Sequence, residues 1–81
     1  MTKVLLFGRL SDLAGWRERV FEPAPATLSA LKAEIAAVDP DLGAALDGPG
    51  VQAAVDKTIV RGDPSVASAH EVAFLPPMSG G

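Results

Sequence analysis

The chain has 81 residues, 48% of them hydrophobic and 21% charged, with a net charge of −3 and no cysteine. That length suits one small domain, able to bury only about 60% of its unfolded surface. Disulfides, thiolate metal sites and a cysteine nucleophile are excluded, one histidine cannot build a multi-histidine metal site, and the acidic balance argues against nucleic acid as a partner.

Residues 3–8 read as a strand, apolar at Val4, Leu5, Leu6 and Phe7. Both of its faces are apolar, so something should cover each. Residues 9–14 form a short candidate helix with Leu10 and Leu13 three apart, and Gly15 is placed to end it in the left-handed conformation. Residues 17–22 read as an edge strand with one solvated face, stopped by Pro23-Ala24-Pro25. Thr27 is a suitable N-cap, although no Glu or Gln follows three residues on to complete a capping box. Leu28, Leu31, Ile35 and Val38 then recur at helical spacing, with Lys32 and Glu34 off that stripe. Asp39-Pro40 closes this long helix, because the residue before proline is pushed out of the α region, and residues 41–46 add one more turn.

Asp47-Gly48-Pro49-Gly50 is loop chemistry. Residues 51–55 and 58–60 flank Asp56-Lys57 as a hairpin, and Asp63-Pro64 marks a further turn. Residues 71–75 are the last strand, with Val72 and Phe74 on one face and Ala73 and Leu75 on the other. Pro76-Pro77 ends it and Met78-Ser79-Gly80-Gly81 is a tail. One long helix among several strands argues for an α+β layer pair, with a domain over 1–76 and a flexible tail over 77–81. The helix covers one face of the sheet, which leaves Leu5, Phe7, Ala73 and Leu75 as an exposed apolar patch of the kind that marks a partner site. No apolar run is long enough for a signal peptide or a membrane span, so a soluble cytoplasmic protein is expected.

The tail is where chemistry is available. Pro-Pro cannot continue a central strand and stiffens the exit from the sheet. Two glycines then make a thread without side chains, suited to a narrow site on another protein, and present only the α-carboxylate. A carboxylate is a poor electrophile until an acyl-adenylate gives it a leaving group. A sulfur nucleophile would then give a thiocarboxylate. With no thiol in the chain, that sulfur must come from outside.

The stretch Val4-Leu5-Leu6-Phe7-Gly8-Arg9-Leu10-Ser11-Asp12-Leu13-Ala14-Gly15 resembles the opening signature of molybdopterin synthase small subunits. The helix after Thr27, the segment Ala54-Val55-Asp56-Lys57 with Ile59-Val60, and above all the run Glu71-Val72-Ala73-Phe74-Leu75-Pro76-Pro77-Met78-Ser79-Gly80-Gly81 continue that resemblance over essentially the whole chain. Two positions depart from the family pattern: Asp56 stands where Asn is usual, and Ser68-Ala69-His70-Glu71 replaces a stronger turn before the last strand.

The resemblance implies the ubiquitin-like β-grasp fold, a mixed sheet on one long helix. It implies a non-catalytic sulfur-donor subunit with no bound cofactor. An adenylating enzyme would consume ATP to activate Gly81, next to Gly80, and a sulfur donor protein would convert it to the thiocarboxylate. The large synthase subunit would receive the tail, in a complex of two small and two large subunits, with no role for nucleic acid or membrane. Phe7, Ile59, Leu75, Pro76, Pro77, Met78 and Ser79 are the partner-binding candidates. Sulfur carriage to another pathway (thiamine, cysteine or tungsten cofactor) and a ubiquitin-like modifier or binding module are the alternatives. A lone His70 in a turn is assigned a solvated or structural role, Trp16 partial burial against the sheet ahead of a partner anchor, and Arg9 a contact to an acidic partner at most.

Overall fold

Alternate side chains of β1 (Thr2–Leu6) serve two sides of a sheet: Thr2, Val4 and Leu6 are buried, Lys3 is exposed and Leu5 half-buried. The computed structural model describes residues 1–77; Met78, Ser79, Gly80 and Gly81 lie outside the described residues. After β1 come α1 (Arg9–Ala14), β2 (Glu18–Phe21), α2 (Leu28–Val38), α3 (Pro40–Leu46), β3 (Gln52–Val55), β4 (Thr58–Val60) and β5 (Glu71–Leu75). The strands form one sheet in the order β2-β1-β5-β3-β4. β1 and β5 run parallel at its centre and the other pairings are antiparallel. This is the expected mixed-sheet β-grasp.

Val4, Leu6, Val72 and Phe74 of the central strands share one core with Leu28, Leu31 and Ile35 of α2 and Leu42 and Leu46 of α3. Gly15 ends α1 at φ 81, as expected. The stripe on α2 stops short of the sequence reading: Val38 is 71% exposed. The chain turns at Asp39, and Leu42 of α3 fills the core in its place. What reads as one more turn is a seven-residue helix of its own. Asp39 joins the two, ending α2 and capping α3 by accepting a hydrogen bond from Leu42 N at 3.1 Å. The helices approach so closely that a Cβ on Gly43 would lie 2.7 Å from Ala36 Cα.

The first turn of α2 leaves no amide waiting for a partner. Leu28 N donates to Pro64 O at 3.0 Å, Ser29 N to Asp63 Oδ1 at 2.7 Å and Ala30 N to the Thr27 hydroxyl at 3.2 Å. The missing capping box is thus replaced from a distant loop, which also seats Val66 in the core. Asp63 accepts a second bond from the Ser29 hydroxyl at 2.8 Å, and these two bonds, the backbone one first, with Lys32 nearby, hold its carboxyl below the usual range.

The hairpin turn has φ 48 at Asp56 and φ 71 at Lys57, the two positive values a tight two-residue connection needs. Asp56 does more than tolerate that conformation. Its Oδ1 accepts from His70 N and Glu71 N, both at 3.0 Å, and its own N–H donates to Glu71 O at 2.9 Å. The weak turn signal before β5 is compensated by this remote carboxylate. β2 is an edge strand as expected. Its register divides the apolar pair: Phe21 lies opposite Thr2 on the helix-covered side, Val20 opposite Lys3 on the open side.

Candidate functional site

The open side of the sheet is built by register. Leu5 lies opposite Ala73, Ala73 opposite Ala54, and Ala54 opposite Ile59, so one apolar row crosses four strands. Two residues further along β1 and β5, Phe7 and Leu75 extend the row towards the tail, with Phe7 N donating to Phe74 O at 3.3 Å. Phe7 is 45% exposed and Ile59 48%, while Ala73 and Ala54, with their short methyls, are nearly covered. Sequence reasoning places Leu5, Phe7, Ala73 and Leu75 on this side, as the register does, and the partner-binding candidate Ile59 lies on it too. It misses Ala54 and the exposed Val20, because only the cross-strand register assigns them to this side.

Pro76 is half-buried and Pro77 exposed where the chain leaves β5. They line an open groove of about 650 Å³ with Gly8, Arg9, Leu10, Ala45, Gly48, Pro49 and Val51. The tail candidates Met78, Ser79, Gly80 and Gly81 lie outside the described residues. His70 is exposed and takes part through its backbone alone, and Trp16 is half-buried against the core with the Arg19 guanidinium 5.5 Å from its ring centroid. Among the described residues, no group of three His, Cys, Asp or Glu could hold a metal ion, and no helix is long and apolar enough to cross a membrane.

A β-grasp domain whose open, apolar sheet face runs up to a proline-led terminus is a small ubiquitin-like protein. Its structure matches the crystal structure of SAMP1 from Haloferax volcanii with a TM-score of 0.80, covering 99% of this chain and 98% of that one at 23% identity, a likeness of fold. The sequence is 35% identical over 81 residues to the molybdopterin synthase sulfur carrier subunit of Escherichia coli (strain K12), covering 100% of both chains. Residues 4–81 match the ThiS family, and the chain belongs to it.

Proposed function

We propose that this chain is the sulfur-carrier subunit of a molybdopterin synthase and that the Gly81 carboxylate is its working group. The similarity to the E. coli carrier subunit over the full length of both is the observation that carries this reading. In the first step the carboxylate attacks ATP on an adenylating enzyme, forming the acyl-adenylate and releasing pyrophosphate. Hydrosulfide supplied by a donor protein then adds to the acyl carbon, AMP leaves with its electron pair and the proton on sulfur is lost. The product is a thiocarboxylate. Inserted into the large subunit, its sulfur bonds to a carbon of the pterin precursor, and water hydrolyses the resulting thioester, leaving sulfur on the pterin and returning the carboxylate. Two deliveries complete a dithiolene.

The chain's own share of this work is presentation. The row Leu5-Ala73-Ala54-Ile59, with Phe7 and Leu75, offers an apolar centre of the kind protein interfaces bury. Met78 and Ser79 then join the tail contacts inside the partner, in a cytoplasmic complex of two small and two large subunits. The family match is broader than the pterin pathway, which keeps carriage to another acceptor as the second reading.

Intact mass spectrometry after incubation with ATP, an adenylating enzyme and a sulfur donor tests the carrier chemistry. The expected gain equals one oxygen replaced by sulfur, localised to Gly81. No gain, with the enzyme active on another carrier, removes the proposal. Adding the purified large subunit and pterin precursor separates the two readings: loss of the added sulfur assigns the pterin pathway, and its retention assigns another acceptor.

A further inference from the structure

The tail leaves the sheet between two glycines. β5 is flanked by β1 on one side and β3 on the other, and each neighbour carries a glycine at the level where β5 ends. Gly8 follows β1 by two residues and Gly50 precedes β3 by two. A Cβ on Gly8 would lie 3.0 Å from Pro76 Cγ; one on Gly50 would lie 2.7 Å from Pro77 Cβ and 3.5 Å from its Cα. Both glycines also have positive φ, 55 and 81. The other two positive-φ glycines among the described residues, Gly15 at φ 81 and Gly62 at φ 75, have nothing within 4 Å of a built Cβ. Conformation alone therefore explains Gly15 and Gly62. At Gly8 and Gly50 the missing side chain also makes room for Pro76 and Pro77, which lead into the tail.

Pro76 and Pro77 have no N–H to give to a ladder, so hydrogen bonds from their amides cannot fix where the chain points next. Close contact with Gly8 and Gly50 is what the described residues offer instead. We propose that Gly8 and Gly50 are positioning residues: a side-chain-free collar that seats Pro76 and Pro77 against the backbone and sets the direction in which the tail departs. The proposal rests on the carrier reading above and deepens it. A carboxylate that must enter a narrow site is delivered faster when the base of its thread is already aimed, because less freedom is lost on insertion. The apolar sheet face supplies affinity, and the collar supplies aim.

The test uses Gly50→Ala against Gly15→Ala. Both positions have φ 81, so the backbone strain is shared and the tail contact is not. Each protein is prepared with a chemically installed C-terminal thiocarboxylate, so adenylation is not needed. Affinity for the large subunit and single-turnover sulfur transfer to the pterin precursor are then measured where circular dichroism shows the variant folded. Both variants are expected to bind within about threefold of the unsubstituted protein, with transfer slowed at least about tenfold in Gly50→Ala and unchanged in Gly15→Ala. Gly8→Ala is the second variant. Its built Cβ approaches ring atoms of Pro76, so adding Pro76→Ala should restore part of the transfer that Gly8→Ala loses. Equal transfer by Gly50→Ala and Gly15→Ala, or no recovery in the Gly8 double variant, overturns the collar. Failure of the unsubstituted thiocarboxylate to deliver sulfur to any acceptor instead overturns the carrier reading on which the collar depends.

Discussion

The two faces of the sheet are made from neighbouring residues of the same strands. Leu6 and Phe74 point to the helices and are sealed in the core; Leu5, Phe7 and Leu75 are equally apolar and point the other way. Composition does not distinguish them. What differs is whether this chain supplies a covering layer, and α2 with α3 supplies one for a single side. The covered face is where burial stabilises the fold. The open face keeps its apolar area uncovered by any element of the described residues.

Substitutions on adjacent positions should separate these roles. Phe74→Ala should cost about 3–5 kcal/mol of stability, read as a lowered midpoint in urea unfolding, because Phe74 is fully buried and the cavity cannot fill. Leu75→Glu should change that midpoint little, by under about 1 kcal/mol, and weaken association with the large subunit at least about tenfold in a titration. Unaltered co-elution of the Leu75→Glu protein with the large subunit would take the open face out of the interface.

Smaller effects sharpen the picture of the covered side. Gly43→Ala should destabilise by about 1–3 kcal/mol despite alanine's better helix propensity, since the added methyl meets Ala36 across the α2–α3 contact. Denaturant melts of the single variant and of Gly43→Ala with Ala36→Gly check this, the double variant recovering part of the loss. Thr2 has a fully buried hydroxyl with no hydrogen-bond partner among the described residues, so Thr2→Val should raise stability by up to about 1 kcal/mol in the same assay.

The smallest effect belongs to Asp63. Its carboxyl titrates below the ordinary 3.8 in the folded chain, so the ionised form stabilises the fold fully above that value. That contribution is lost as pH falls through the depressed folded value. Unfolding midpoints followed downward from pH 5 should fall less steeply in Asp63→Asn than in the unsubstituted protein.

The local elements were legible because their signals are local. The Thr27 cap, the Leu28–Leu31–Ile35 stripe, the Gly15 stop and the Asp56-Lys57 turn all announce themselves within a few residues. The bonds that fasten those elements to one another were not. Asp63 lies 34 residues from the Ser29 amide it caps, and Asp56 lies 14 and 15 residues from the amides it accepts from. Nothing in a short window pairs such residues. Val38 leaves the stripe for a related reason: helical spacing reports a face, and only the turn at Asp39 decides where the covered face ends. At the candidate site, the apolar character of the open face was readable from alternation, whereas the need for Gly8 and Gly50 becomes visible only with Pro76 and Pro77 beside them.

The position of β5 bears on how the protein is made. β5, the last strand in sequence order, is the middle strand of the sheet, between β1 and β3. Until it emerges from the ribosome, the nascent chain holds two separate hairpin-like pairs, β1 with β2 and β3 with β4, neither able to stand alone in water. Folding therefore waits for β5, and a chain cut before residue 71 lacks the strand that unites the halves.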